Sequence, residues 1–163
     1  MATGTDSAPV SDREIVIART IQGPRPLVFE AYADVKHLAR WWGPNGFTTT
    51  THRFAFRPGG IWEFVMHGPD GTDYPNYIEY REIVPPERIV FLHGERVGDP
   101  NAFVSTVTFV ERGAATEVTM RAMFKTKAMR DEIVERYGAI EGGKQTLGRL
   151  ATYVATLSAM GDR

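Results

Sequence analysis

Residues 141–160 read EGGKQTLGRLATYVATLSAM, and they carry the longest helical pattern in the chain. Leu147, Leu150, Val154 and Leu157 recur at three- and four-residue spacing, which places them on one stripe of an amphipathic helix. Such a helix buries its stripe against another layer of secondary structure. Because most of the preceding chain is rich in strand-forming residues, the sequence predicts an α+β fold in which this helix packs on a sheet.

Two adjacent glycines, Gly142 and Gly143, stand at the start of this pattern. Glycine inside a helix costs up to about 1 kcal/mol relative to alanine. Either the helix begins only at Lys144, or the helix backbone and a ligand approach each other closely at the glycines. Gln145, just beyond, could hydrogen-bond a molecule held in that space.

β-Branched or aromatic runs fill the middle of the chain, and short turns rich in Gly, Pro and Asp separate them. Short connections favour antiparallel hairpins over parallel crossovers. With an additional run near the start, the pattern predicts a strongly bent seven-stranded antiparallel sheet. The predicted strands cover residues 13–21, 48–56, 61–67, 77–84, 88–94, 103–111 and 116–124.

Two helical segments lie outside the long helix. Residues 23–43 have the pattern of one helix bent into two, with Asp34 as the cap of the second piece and Gly43-Pro44 as its end. Residues 127–138 form a further short piece. The predicted order is therefore strand, two short helices, six strands and a long C-terminal helix.

Length and composition indicate a single globular domain over residues 12–160, preceded by a flexible polar tail at residues 1–11. Nineteen basic and twenty acidic residues give a net charge of −1, so the chain lacks the excess positive charge that is typical of nucleic-acid-binding proteins. The absence of cysteine excludes disulfides and thiolate chemistry. The start lacks the features of a signal peptide, and no apolar run reaches the ~20 residues of a membrane span. We therefore expect a cytoplasmic protein without membrane insertion.

The sequence contains none of the common catalytic or nucleotide-binding motifs, and its four histidines are not at metal-ligand spacing. We therefore expect neither a metal nor a cofactor. The candidates for a general acid or base are Glu79, His93 and His52. Glu79 lies between Tyr77 and Arg81 on one strand face, so it either points into the concavity or pairs with Arg81.

Aromatic and methionine side chains share strand faces by the period-two rule, as Trp62, Phe64 and Met66 do. Such a face is either the core between sheet and helix or the wall of a cavity. The double glycine favours a cavity, because it removes side-chain volume from the helix that covers the sheet. The candidate ligand-binding residues are Trp41, Trp42, Phe54, Trp62, Phe64, Met66, Tyr77, Phe91, Met120, Phe124, Gly142 and Gln145.

The adjacent tryptophans are expected to have different roles. Neighbouring helical residues point about 100° apart, so the two side chains cannot face the same way. Trp42 is in register with Val35 and Leu38 and should pack in the core. Trp41 is then predicted to point sideways, towards the mouth of the cavity or solvent, and it is the better candidate for a gate.

Six segments in a characteristic order resemble the SRPBCC superfamily, also called START-like or helix-grip proteins. Among its branches, they are most similar to homologues of the activator of the heat-shock-protein-90 ATPase. The segments are RTIQGPRPLVFEAYAD (19–34), WWGP (41–44), RPGGIWEFVMHGPDGTDY (57–74), VPPERIVF (84–91), VTFVERGAATEVTM (107–120) and GAIEGGKQTLGRLATYV (138–154).

The resemblance implies a β-α-α-β6-α fold whose sheet grips the long helix over an internal cavity. In relatives, the positions matching Trp41-Trp42, Trp62, Phe64 and Gly142 lie near that cavity. Many relatives have a bulky residue where this chain has Gly143, which suggests a roomier pocket or a different ligand here.

Three functions remain open at this stage. The first is binding of a small apolar or amphipathic molecule, such as a lipid or an aromatic or polyketide-like compound, without catalysis. The second is a cyclase or dehydratase that uses the cavity acids and bases. The third is a regulatory module that binds a chaperone or another protein, which would require an exposed apolar patch. Either a monomer or a homodimer would be compatible with all three.

Overall fold

The computed structural model describes residues 11–161, so the predicted tail lies outside the described residues except for Ser11. A curved seven-stranded antiparallel sheet has the order β1-β7-β6-β5-β4-β3-β2. The predicted α+β, helix-grip architecture is confirmed. The elements are β1 (Glu14–Ile21), α1 (Arg25–Ala33), α2 (Val35–Trp41), β2 (Thr48–Phe54), β3 (Ile61–His67), β4 (Asp73–Val84), β5 (Arg88–Gly94), β6 (Phe103–Arg112), β7 (Ala115–Met123), α3 (Lys127–Tyr137) and α4 (Ala139–Gly161).

The strand β4 begins four residues earlier than predicted, at Asp73 instead of Tyr77. The prediction assigned GPDGTD (68–73) to a turn and began the strand at Tyr77. In the structure Pro75 pairs with Val65 of β3, while pairing with β5 starts only at Tyr77. Proline is tolerated there because that part of β4 has a neighbouring strand on one side only.

The bend between α1 and α2 is where the sequence predicts it. Asp34 has extended backbone dihedrals, and its carboxylate accepts a hydrogen bond from the Lys36 amide at 2.8 Å. α2 then ends at Trp41, directly before the Gly43-Pro44 pair. The Asp34 cap and the helix stop are both confirmed.

The long helix α4 starts at Ala139, so both glycines lie inside it and the alternative of a start at Lys144 is wrong. Leu147, Leu150 and Val154 are completely buried. The glycines allow the helix to come close to other elements. A Cβ atom on Gly143 would lie 2.6 Å from Cδ1 of Ile17 on β1.

An aromatic cluster fills the space between α1, α2 and the sheet, with members from β2, β3, β4 and β6. It contains Phe29, Tyr32, Trp41, Trp42, Phe54, Phe56, Trp62, Phe64, Tyr80 and Phe109, which contact one another mainly edge to face. Such pairs add about 0.5–1.5 kcal/mol each beyond the burial of their area. These contacts hold α1 and α2 against the sheet, with α1 packed on β6 and β7 and α2 on β2.

The hydroxyl of Tyr32 is buried in this cluster without a hydrogen-bond partner among the described residues. We expect Tyr32→Phe to raise the free energy of unfolding by about 1 kcal/mol, because it keeps the ring contacts and removes an unsatisfied group. The matched control is Tyr153→Phe, which removes a hydroxyl that lies 2.6 Å from Nδ1 of His37. We expect Tyr153→Phe to lower the free energy of unfolding by about 1 kcal/mol. Denaturant unfolding measures both, and destabilisation by Tyr32→Phe would contradict the assignment.

Candidate functional site

A cavity of about 230 Å³ lies between the sheet and the helices α3 and α4, beside the aromatic cluster. Its wall comes from β1, β3, β5, β6, β7, both helices and the loop after α2. Most of the lining is apolar. The lining residues are Ile15, Ile17, Trp42, Gly43, Pro44, Met66, Phe91, His93, Phe103, Ser105, Met120, Arg121, Ala122, Phe124, Ile133, Ala139, Gly143 and Thr146.

The structure brings together five of the predicted ligand-binding residues and one predicted acid-base candidate on this wall. They are Trp42, Met66, Phe91, Met120, Phe124 and His93. Met120 and Phe124 follow the predicted alternation at the end of β7.

Four predicted ligand-binding residues lie in the aromatic cluster instead: Phe54, Trp62, Phe64 and Trp41. Trp62 and Phe64 are each 1% exposed, and their rings stack at 3.8 Å. Trp42 covers them, with its ring 5.0 Å from that of Trp62. Phe54 packs edge to face on Trp62. Of the two interpretations that the sequence allowed for the aromatic strand faces, core or cavity wall, these residues therefore match the core.

The prediction that Trp41 points towards the mouth of the cavity or solvent is wrong. Trp41 is completely buried, and its Nε1 donates a hydrogen bond to the carbonyl of Ala31 at 3.0 Å. Trp42 is buried as expected, yet it is the member of the pair that lines the cavity. The reason is that Trp42 has already left the helix with extended dihedrals, so the helical 100° rule does not apply to it.

Gly142 and Gln145 hold the loop after α2 and do not line the cavity. A Cβ on Gly142 would lie 3.4 Å from Cγ of Pro44, and Oε1 of Gln145 accepts the Asn45 amide at 3.1 Å. Arg149, one turn further along α4, donates from Nη1 to the carbonyls of Trp42, Gly43 and Pro44 at 3.0–3.2 Å. One face of α4 therefore fixes the loop that carries Trp42.

Glu79, Tyr77 and His52 lie away from the cavity. The Glu79 carboxylate faces Arg81 at 3.6 Å on the outer face, which settles the alternative that the sequence left open. The hydroxyl of Tyr77, on the same face, accepts a hydrogen bond from Arg53. The acid-base candidate His52 is exposed, at a register shift between Thr51 and Arg53, although its spacing from Phe54 had predicted that both lie on the inner face.

His93 is the one acid-base candidate on the cavity wall. Its Nε2 lies 2.7 Å from Oδ1 of Asn76, whose own Nδ2 donates to the carbonyl of Tyr74 at 2.9 Å. Because Oδ1 of Asn76 can only accept, Nε2 of His93 must carry the proton. Burial lowers the pKa of His93 from 6.5 to about 4. At neutral pH the ring is therefore uncharged, with Nδ1 as its acceptor.

The other polar lining residues are Ser105, Thr146 and Arg121. The Thr146 hydroxyl donates to the carbonyl of Gly142 at 2.9 Å, and Arg121 pairs with the buried Glu14 at 3.1 Å. The hydroxyl of Ser105 makes no hydrogen bond within the described residues, although Ser105 is only 7% exposed.

Sequence reasoning missed Ser105, although a signal for it was available. Phe103, Ser105, Val107 and Phe109 alternate along β6, and the last three are buried. An isolated serine in such a series marks a polar position on an inner face. Gly143 and Ile17 line the cavity as well, but their close approach depends on how α4 crosses β1, which no local pattern contains.

One group of described residues, Glu30, Asp34 and His37, has its ligand atoms within 4.8 Å of one another, as a metal site would require. Glu30 is exposed and the other two are half-buried. Asp34 is already used as the cap of α2, and His37 is bound to Tyr153. Exposed acidic groups of this kind are common without an ion, so the expectation of no metal stays a prediction.

Comparison with known proteins places these features in a family. Residues 22–155 match the family model described as Activator of Hsp90 ATPase homolog 1-like protein. No curated protein shows significant sequence similarity to the chain. Among the helices of residues 11–161, none combines the length and apolar character that crossing a membrane requires.

Several solved bacterial structures share the fold. Protein NE0264 from Nitrosomonas europaea is 23% identical, with a TM-score of 0.82, and the match covers 91% of this chain and 98% of that one. Protein Ms6760 from Mycobacterium smegmatis is 27% identical, with a TM-score of 0.79 and coverages of 91% and 93%. The AHSA1 protein from Silicibacter pomeroyi is 23% identical, with a TM-score of 0.67 and coverages of 88% and 98%.

The protonation of His93 predicts a pH dependence of stability. Its folded-state pKa of about 4 lies below its ordinary value of 6.5, so the unfolded chain takes up a proton that the folded chain does not. Because of this proton uptake, the free energy of unfolding should fall by up to about 3 kcal/mol as the pH is lowered from about 6.5 to about 4. NMR titration of the ring carbons checks the assignment, and a His93 midpoint near 6.5 would contradict it.

Because Arg149 contacts three backbone carbonyls, its substitution should strongly lower the stability of the protein. We expect Arg149→Met to lower the free energy of unfolding by about 2–3 kcal/mol, because it leaves partly buried carbonyls without a charged donor. Arg40→Met is the matched control, since Arg40 is exposed near the same loop. It should change stability by no more than about 0.5 kcal/mol. Equal effects of the two substitutions in denaturant unfolding would refute a special role for Arg149.

Proposed function

The chain belongs to the family of Activator of Hsp90 ATPase homolog 1-like proteins, and we propose that it binds a small apolar or amphipathic molecule in the cavity between its sheet and its last two helices. The observation that supports this proposal is the cavity itself. It lies beside a densely packed aromatic cluster, and its wall is mostly apolar with a few polar groups. Cavities with this composition are the usual sites of small-molecule binding.

The size of the cavity indicates the size of the ligand. Its volume of about 230 Å³ is below the roughly 300–1,000 Å³ of pockets for drug-sized molecules. It exceeds the ~150 Å³ of an engineered apolar cavity that binds benzene. We therefore propose a ligand with one small ring or a short branched chain, instead of a long-chain lipid.

Catalysis and protein binding have less support. Of the three acid-base candidates, only His93 reaches the cavity wall, so a cyclase or dehydratase would have a single neutral imidazole there. A docking module would need a continuous apolar surface. The large hydrophobic residues exposed within residues 11–161 are Val97, Val110 and Tyr137, and they lie on separate elements. We therefore rank both functions behind ligand binding, and the expected cytoplasmic location stays a prediction.

The direct test is binding of p-xylene to protein that carries ¹³C-labelled methionine methyl groups. Met66 and Met120 line the cavity, whereas Met123 on β7 does not. We expect the methyl signals of Met66 and Met120 to shift with a saturable dependence on p-xylene, while the Met123 signal stays in place. Native mass spectrometry of the purified protein complements this test by revealing a co-purified molecule. If p-xylene leaves the Met66 and Met120 signals unchanged, the proposal fails.

The two glycines of α4 offer a matched pair of variants. Both substitutions to alanine should favour the helix by up to about 1 kcal/mol. In Gly143→Ala the new methyl group would displace Ile17 towards the cavity, whereas in Gly142→Ala it would make an ordinary contact with Pro44. We expect Gly143→Ala to weaken p-xylene binding about tenfold and Gly142→Ala to leave it unchanged. The same titration measures both, and equal affinities would contradict the cavity as the binding site.

A further inference from the structure

Two polar groups on the cavity wall have no partner within the described residues. They are Nδ1 of His93 and the hydroxyl of Ser105, and both residues line the cavity. The residues lie on neighbouring strands, where His93 pairs with Phe103 and Ser105 with Phe91. This makes them diagonal neighbours on one sheet face, a spacing of about 7–8 Å. In an apolar cavity, two nearby unpaired polar groups specify where a ligand's polar group must lie.

The orientation of the His93 ring fixes what this site can recognise. Asn76 faces His93 from β4 and holds the proton on Nε2, because its amide nitrogen is bound to the carbonyl of Tyr74. The rings of Phe64, Phe91 and Phe103 lie 5.0–6.3 Å from the imidazole and provide no charge. Nδ1 is therefore held as a hydrogen-bond acceptor, which attracts a donor and repels the oxygens of a carboxylate.

The one cationic residue on the wall is Arg121, and it is already paired. Its Nη1 lies 3.1 Å from Oε1 of Glu14, which is 2% exposed. Drawing Arg121 to an anionic ligand would leave that buried carboxylate with a weaker partner, which is costly. The charge of the wall therefore gives no advantage to an anionic ligand.

We propose that the ligand is a neutral molecule with a small apolar body and a single hydroxyl or N–H group, which donates a hydrogen bond to Nδ1 of His93 beside the Ser105 hydroxyl. This inference rests on the proposed function and names its ligand class. Phenols and small alcohols fit it best. A plain hydrocarbon of the same shape should bind more weakly, because it leaves Nδ1 unpaired, and a carboxylate should be repelled by that acceptor. The polar group sits where β5 and β6 meet, and the apolar body faces Met120 and Ile17.

The test compares three molecules of one shape: p-cresol, p-xylene and p-toluate. Each is titrated at about pH 7 into the full chain, with Met66 and Met120 methyl signals as the readout. We expect p-cresol to bind at least about tenfold more tightly than p-xylene, the effect of one well-made hydrogen bond at a site otherwise left unpaired. We also expect p-cresol to bind at least about tenfold more tightly than p-toluate.

A spectroscopic measurement on the unmodified protein follows the acceptor itself. In ¹⁵N spectra of the histidine rings, p-cresol should move the Nδ1 resonance of His93 towards the position of a hydrogen-bonded nitrogen. p-Xylene should leave this resonance in place, and Nε2 should stay protonated throughout. If p-cresol leaves the Nδ1 resonance of His93 unchanged, the inference is wrong.

Variants test the same contact by removal. We expect His93→Phe to bring p-cresol affinity down to that of p-xylene, and Ser105→Ala to reduce the preference to a smaller extent. His52→Phe is the control, because His52 is exposed outside the cavity. It should keep the full preference for p-cresol. If His93→Phe does not fold, the ¹⁵N measurement decides.

The outcomes separate the inference from the function on which it rests. If p-xylene binds as tightly as p-cresol, the cavity is a ligand site and the polar recognition is wrong. If p-toluate binds most tightly, the inference is overturned in favour of an anion site at Arg121. If none of the three shifts the Met66 and Met120 signals below about 1 mM, the inference and the proposed function both fail.

Discussion

The concave face of the sheet offers more apolar surface than the single helix α4 covers, and this constraint shapes the whole protein. Towards one end of the strands, the surplus surface is covered by α1, which packs on β6 and β7, by α2 and by the tryptophan pair. Trp41 is fixed to Ala31 at the centre of the cluster, and Trp42 covers Trp62 and Phe64. Towards the other end, where β5 ends and β6 begins, the cavity remains between the sheet, α3 and α4.

The helix α4 connects the aromatic cluster with the cavity. Gln145 and Arg149 hold the loop after α2 by hydrogen bonds to its backbone, and Trp42 on that loop separates the cluster from the cavity. On the adjacent face, Gly143 brings the helix against Ile17 and sets the depth of the cavity. The double glycine therefore has two roles, one at the loop and one at the cavity wall.

Inside the cavity, the few polar groups matter because the surrounding wall is apolar. A hydrogen bond made there is stronger than in water, and a polar group left unpaired there is costly. Asn76 satisfies one nitrogen of His93 and so determines what the other nitrogen can accept. A polar residue of the sheet that never touches the cavity thereby defines the chemistry of its wall.

Local patterns in the sequence determined the secondary structure and the overall architecture. The stripe of Leu147, Leu150 and Val154, the strand alternation, the Asp34 cap and the Gly43-Pro44 stop all appear in the fold, because spacing and turn chemistry act over a few residues. Only the tertiary structure decided which half of the aromatic face is core and which half is cavity. That division depends on where Trp42 points after leaving its helix and on how closely α4 crosses β1 at Gly143. Each of these is set by contacts between residues far apart in the chain, so the sequence alone could identify the candidates but could not assign them to one side of Trp42 or the other.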